Sequence, residues 1–196
     1  MGTNRALLLL SCVLLFLLVS VQGEEKHLSG RARALSDALT ELQKKSDDPL
    51  LQQRYLDAFP RDYKSFLQLF DIGQELTDGY DFISILPSLA KEHDAEVGAL
   101  LVGLSKDAQW EADAPSYLQM ATATYGGQHT ATLVSIVEKL SSSERGNLIT
   151  FLADVENHSS YKEYQQVIDN LKALGQDKLA KEFETARRRR SKQPHN

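Results

Sequence analysis

Cysteine is almost absent from this chain of 196 residues. The single cysteine, Cys12, lies in an apolar segment at the N-terminus. If that segment is removed on export, the remaining chain has no thiol, and a packed core rather than disulfides must stabilise it outside the cell. Small secreted animal domains usually carry disulfides, so this absence favours a bacterial periplasmic or secreted protein.

Catalytic and metal-binding motifs are also absent. The five histidines are scattered without paired spacing, and neither a His-Glu-x-x-His pair nor a calcium loop is present. The sequence has no Gly-x-Ser-x-Gly elbow and no phosphate-binding loop, and Tyr125-Gly126-Gly127 is interpreted as a turn. We therefore expect no metal and no cofactor, and a non-enzymatic protein is favoured.

Positive charge is scarce outside the C-terminus. The chain has 22 Lys and Arg against 27 Asp and Glu, a net charge of −5 that becomes −6 if Arg5 is removed with the apolar segment. Arg187–Arg190 and Lys192 supply five positive charges, which leaves −11 on the rest. An acidic body argues against nucleic acid as a partner, because phosphates require a basic face.

The N-terminal segment has the layout of a secretory signal peptide. Arg5 precedes an apolar run of about 14 residues, Ala6–Val19, and the small or modest side chains at Val21 and Gly23 suit cleavage after Gly23. This run is shorter than the roughly 20 residues that span a bilayer as a helix. Residues 1–23 are therefore predicted to be a signal peptide, with cleavage between Gly23 and Glu24 and a secreted or periplasmic location.

Two alternatives for this segment remain open. Leu9-Leu10-Ser11-Cys12 resembles a bacterial lipoprotein box, although the apolar run continues well past Cys12. A retained membrane anchor is the other alternative, and Glu24 and Glu25 beside the small Gly23 favour cleavage over it.

Apolar residues recur with helical spacing along the rest of the chain, and no convincing strand pattern appears. We predict one all-α domain over residues 24–186, with about nine to ten helices, followed by a basic tail over residues 187–196. Short links from about residue 94 onward indicate antiparallel neighbours. An irregular helical bundle and stacked helical hairpins, as in an α-solenoid, both fit.

Several residues mark predicted helix ends. Asp48 with Pro49 starts a helix, Phe59-Pro60 breaks one, Ser141 and Glu144 form a capping box, and Gly175 ends a helix. By the same logic Asp94 and Ser160 are predicted N-caps, Pro87 interrupts the helix Tyr80–Lys91, and Gly126-Gly127 ends another.

Half of the aromatic residues after the signal segment fall within 28 positions. They could line a ligand pocket or contact a partner, but their helical spacing favours a role in the core. These residues are Tyr55, Phe59, Tyr63, Phe66, Phe70, Tyr80 and Phe82.

Trp110 stands beside two carboxylates, Glu111 and Asp113, just before a predicted helix that carries Tyr117. The carboxylates could act as general acid and base in an all-α hydrolase. Asp113 also occupies an N-cap position, and Trp110 could simply pack at the start of the helix. Trp110 and Tyr117 are also candidates for partner binding.

The arginine run Arg187, Arg188, Arg189 and Arg190 is the clearest surface feature. As the last helical turn it is favoured by the helix dipole. It could also contact anionic lipids, acidic polymers or a partner, or it could be a solvated tail. Asn157-His158-Ser159 is a glycosylation sequon, which matters only in a eukaryotic host.

Part of the chain resembles a known pattern. Phe59-Pro60, the helix Phe66-x-x-Leu69-Phe70 and Trp110-Glu111-Ala112-Asp113-Ala114 are similar to segments of secreted bacterial proteins and lipoproteins of uncharacterised function. Glu111 replaces the first Asp of the Trp-Asp-Ala-Asp-Ala segment. The resemblance covers roughly residues 55–125 and implies export and an all-α fold, with no activity attached.

Taken together, these features favour an exported, non-enzymatic binding protein with a protein partner, such as an inhibitor, an immunity protein or an envelope accessory factor. The alternatives are the hydrolase based on Glu111 and Asp113, and a protein that binds lipid or another anionic surface through Arg187–Arg190.

Overall fold

The computed structural model describes residues 28–70, 75–76, 79–109, 113–154 and 158–192, with only the backbone for residues 113 and 158–161. Ten helices and no strand occur in these ranges, which confirms the predicted all-α fold. The helices are α1 Gly30–Lys44, α2 Pro49–Ala58, α3 Tyr63–Phe70, α4 Gly79–Ser84, α5 Leu86–Ser105, α6 Asp113–Gln128, α7 Thr130–Val137, α8 Ser142–Ala153, α9 His158–Ala173 and α10 Asp177–Arg190.

Local side-chain chemistry starts and stops the helices where the sequence predicts it. The Asp48 carboxylate accepts hydrogen bonds from the first backbone amides of α2, with Pro49 as the first helical residue. Ser141 and Glu144 form both halves of the capping box of α8. Gly175 adopts a φ of +71°, a conformation that favours glycine, and ends α9.

The prediction that Gly126-Gly127 ends a helix is wrong, because α6 continues through both glycines to Gln128. A β-carbon on Gly126 would lie only 3.0 Å from the Leu133 side chain and 3.1 Å from the Val167 side chain. The glycines therefore let α7 and α9 approach the backbone of α6 closely, and they do not form a turn.

Two predicted interruptions are found and one predicted cap is wrong. The segment Tyr80–Lys91 is broken at Ile85, between α4 and α5, and Pro87 lies in the first turn of α5, where proline is tolerated. The helix predicted to start at Asp94 begins at a kink, because His93 has non-helical angles, although α5 runs on across it and His93 rather than Asp94 is the non-helical residue. Helix α9 begins at His158, so Ser160 is inside it.

Helix α6 lies at the centre of the fold. It packs most extensively against α5 and α9 and also contacts α4, α7 and α8. Repeats in a solenoid contact only their neighbours in sequence, so a helix with five partners indicates a bundle. The irregular helical bundle is therefore the better of the two predicted architectures.

The aromatic cluster is core, as its spacing predicts, with one exception. Tyr55, Phe59, Phe66 and Phe70 are buried, as are Tyr63 and Phe82, and successive ring centroids lie 5.1–5.9 Å apart. Tyr80 is 45% exposed, so its assignment to the core is wrong.

Candidate functional site

Most residues of the predicted hydrolase site lie outside the described residues. Trp110 and Glu111 are not described. The predicted glycosylation site, Asn157, and the predicted signal cleavage residues, Gly23 and Glu24, also lie outside the described residues. Helix α6 begins at Asp113, but the side chain of Asp113 is not described. The acid–base hypothesis therefore stays a prediction.

Tyr117 is half-buried, and its ring packs edge-on against the exposed Tyr80, with centroids 5.3 Å apart. This contact joins α6 to α4. A partner-binding role for Tyr117 stays a prediction.

The four arginines form the last turn of α10, as predicted, and α10 continues without interruption to Arg190. Arg187 donates a hydrogen bond to the Gln165 side chain on α9 at 2.9 Å. Arg190 forms an ion pair with Asp154, whose side chain is only 5% exposed. Two of the four arginines therefore attach α10 to the bundle.

Helix α10 is amphipathic, and its apolar side sets its orientation. Leu179, Ala180 and Phe183 are buried, and the Tyr164 hydroxyl donates a hydrogen bond to the Phe183 carbonyl at 2.8 Å. Residues spaced by three or four positions share a helix face. Lys178, Lys181, Thr185 and Arg189 consequently form a second stripe, directed toward α8.

A groove of about 570 Å³ lies between this stripe and α8. We call it the α8–α10 groove, and its lining is Gly146, Ile149, Thr150, Lys178, Lys181, Glu182, Thr185, Ala186, Arg189 and Arg190. A second, more polar cleft of about 590 Å³ shares Thr150 and Arg190 with it, so the two depressions adjoin. The volume of each is within the usual range for binding sites in proteins.

The groove carries excess positive charge. Glu182 is paired with Arg145 at 3.3 Å, and Arg190 is paired with Asp154. Within the described ranges, no acidic side chain pairs with Lys178, Lys181 or Arg189. Three positive charges therefore line a groove in a chain whose net charge is −5.

Gly146 creates part of the open space in the groove. It lies in the interior of α8, where glycine costs up to about 1 kcal/mol relative to alanine. A β-carbon at this position would meet no atom within 4 Å, so nothing in the described structure requires a glycine there. A glycine without a packing reason, beside a charged groove, is consistent with the close approach of a ligand.

Gln119 holds one wall of the groove in place. This buried side chain on α6 donates hydrogen bonds to the carbonyls of Phe151 and Asp154, at 2.6 Å and 2.8 Å. These carbonyls lie at the C-terminal end of α8, where the Phe151 carbonyl also accepts a hydrogen bond from the Asp154 backbone amide at 3.3 Å. Gln119 thereby fixes the end of α8 against the centre of the bundle.

A polar cluster around Asp94 was not predicted from the sequence. The Asp94 carboxylate accepts hydrogen bonds from the Tyr125 hydroxyl at 2.8 Å and the Thr132 hydroxyl at 2.6 Å. His129 Nδ1 lies 3.1 Å from the same carboxylate. The four residues come from α5, α6, α7 and the junction between α6 and α7, so their proximity depends on the tertiary fold.

The hydrogen bonds of this cluster change its acid–base properties. Partial burial alone would raise the pKa of Asp94, but the hydrogen bonds from Thr132 and Tyr125 outweigh it and lower the pKa. Burial, and next the neighbouring Asp94, raise the pKa of Tyr125.

The arrangement around Asp94 does not match that of a catalytic triad. In a triad the hydroxyl contacts the imidazole, which in turn contacts the carboxylate. Here the Thr132 hydroxyl and His129 both contact Asp94 directly. The cluster instead connects three helices at the kink of α5.

Neither a metal centre nor a membrane-spanning helix is found in the described part of the chain. No three His, Cys, Asp or Glu residues there converge as metal ligands would. None of the helices described is both long enough and apolar enough to cross a bilayer. Among the described residues, the α8–α10 groove is the best candidate for a functional site because of its size and its positive charges.

Comparison with known proteins gives no further assignment. No protein-family model, curated protein or solved structure matches the chain.

Proposed function

We propose that the chain is an exported, non-enzymatic binding protein, and that the α8–α10 groove is its contact surface for a protein partner. The observation that carries this proposal is the set of three cations, Lys178, Lys181 and Arg189, that line a groove without acidic partners among the described residues. An anionic partner would complement these three positive charges.

The position of Gly146 fits the same proposal. An alanine there would stabilise α8, yet the chain has a glycine whose missing side chain leaves the groove open. Functional sites often reduce stability in this way. The signal segment predicted at residues 1–23 supports export, which would place the groove in contact with exported or periplasmic proteins.

Site-specific photocrosslinking in the native export compartment tests this proposal. A photoreactive residue replaces Thr185 in the groove, and the matched control replaces Thr40, a threonine exposed on α1. We expect one discrete protein adduct from position 185 and none from position 40. Equal adducts from both positions, or none from position 185, would contradict the proposal.

A second pair of variants tests whether the adduct depends on the shape of the groove. Gly146→Met fills the groove, whereas Gly103→Met adds the same side chain to α5, where a β-carbon also meets no atom within 4 Å. The adduct from position 185 should disappear with G146M and persist with G103M. An adduct that both variants retain would exclude the groove as the contact surface.

A further inference from the structure

The dimensions of the groove indicate the shape of what it binds. Lys178 and Arg189 are eleven residues apart on α10, which corresponds to about 17 Å along the helix axis. An extended peptide advances about 3.3 Å per residue, so roughly five residues would span this distance. A small anion such as phosphate would contact only one end.

The lining indicates the chemistry of the occupant. Ala186 is apolar and half-buried, Ile149 is only 4% exposed at the base of the groove, and the methylene groups of Lys178 and Lys181 add apolar surface below their charged ends. The cations that lack acidic partners, Lys178, Lys181 and Arg189, all lie on the α10 side. A ligand that satisfies both features carries carboxylates along one edge and at least one apolar side chain.

Arg188, next to Arg189, allows binding of a peptide to be distinguished from binding of a membrane surface. Arg188 is exposed on α10 but does not line the groove. A lipid bilayer is too broad to enter the groove, and it would attract Arg188 and Arg189 alike. A peptide bound in the groove would contact Arg189 and leave Arg188 in solvent.

We infer that the α8–α10 groove binds an acidic, extended segment of a partner protein, with an apolar side chain of that segment on Ala186 and the methylene groups of Lys178 and Lys181. This inference rests on the proposed function and specifies its partner. It also accounts for Gly146, since the missing side chain gives the backbone of such a segment room to approach α8.

Fluorescence anisotropy with synthetic peptides tests the inference directly. The probe is a labelled peptide of alternating Glu and Asp around a central Leu. One matched peptide replaces every carboxylate by the amide, and another replaces Leu by Ser. We expect the acidic Leu peptide to bind most tightly, the Ser peptide more weakly, and the amide peptide not detectably.

The protein variants are Arg189→Glu and its control Arg188→Glu, which make the same charge change in the same helical turn. A single exposed ion pair changes affinity by up to about fivefold, and reversal of its charge adds repulsion. R189E should therefore weaken binding of the acidic peptide roughly tenfold or more, and R188E less than about threefold. Lys181→Gln, a milder change, should weaken it roughly two- to fivefold if R189E folds poorly.

Several results would overturn the inference. Equal losses with R188E and R189E would show that only the overall charge matters. Binding of the amide peptide as tightly as the acidic peptide would exclude carboxylate recognition. Binding to phosphatidylglycerol vesicles that R188E and R189E reduce equally, without peptide binding, would identify a membrane surface instead. Adducts at position 185 without any preference for acidic peptides would leave the proposed function in place and remove this inference alone.

Discussion

Two glycines five positions apart in α5 should respond to alanine in opposite directions. A β-carbon on Gly98 would lie 2.2 Å from the Tyr125 hydroxyl and 2.7 Å from the Ile136 side chain, whereas a β-carbon on Gly103 would meet nothing within 4 Å. Gly98→Ala must therefore displace Tyr125, which is fully buried and donates a hydrogen bond to Asp94. Gly103→Ala should only increase the helix propensity of α5.

The expected magnitudes follow from these contacts. Overpacking costs about 2 kcal/mol, and loss of the hydrogen bond to a charged acceptor costs about 2 kcal/mol. The gain in helix propensity returns about 1 kcal/mol. G98A should thus destabilise the protein by about 3 kcal/mol, which lowers the Tm by roughly 6–12 °C for a chain of this size. G103A should stabilise it by up to about 1 kcal/mol.

Urea unfolding of both variants, followed by far-UV circular dichroism, measures this difference. The fold as described requires G98A to unfold at clearly lower urea than the wild-type protein, and G103A to unfold at the same or higher urea. If G98A were as stable as G103A, Tyr125 could not lie against Gly98, and the packing of α5 on α6 would be refuted.

Three further variants test other parts of the structure. Gln119→Leu removes the two hydrogen bonds from this side chain to the carbonyls of Phe151 and Asp154 and should cost about 1–3 kcal/mol in urea unfolding; an unchanged midpoint would exclude a role for Gln119 in holding α8. Because the pKa of Asp94 is lower in the folded state, its carboxylate stabilises the protein at pH values above the pKa of the unfolded state, near 3.9. This contribution is lost as the pH falls through the pKa of the folded state. Asp94→Asn should therefore be less stable than wild type at neutral pH, and the difference in stability should become smaller below about pH 4. Urea midpoints of both proteins, measured at neutral pH and below pH 4, test this; the same difference at the two pH values would contradict it. Gly146→Ala should raise the Tm by up to about 2–4 °C in a thermal melt, and a lower Tm would mean that the glycine is needed for packing.

Local signals explain why the fold could be predicted from the sequence. Asp48 and Ser141 cap helices through side chains that are adjacent in sequence to the amides they bind, and Gly175 adopts a left-handed conformation at a helix end. The prediction that Gly126-Gly127 ends a helix failed because glycine occurs in two structural roles. It ends helices, and it also lets helices pack closely, and only the positions of α7 and α9 distinguish the two.

The groove was found only in part from the sequence. The arginine run was recognised as a surface feature, but Lys178 and Lys181 were not, although their spacing from Arg189 on one helix face is readable in the sequence. Gly146 was missed because its significance depends on empty space around it. Asp94 was interpreted as a cap, since its partners Tyr125 and Thr132 are more than 30 residues away.

Chemical-shift mapping by NMR tests the central claim most directly. The acidic Leu peptide is titrated into the isotope-labelled protein, and the backbone amide signals are followed. We predict shifts concentrated at Gly146, Thr150, Lys181, Thr185 and Arg189, with little change on α1 and α3. Shifts spread evenly over the surface, or confined to helices away from α8 and α10, would contradict it.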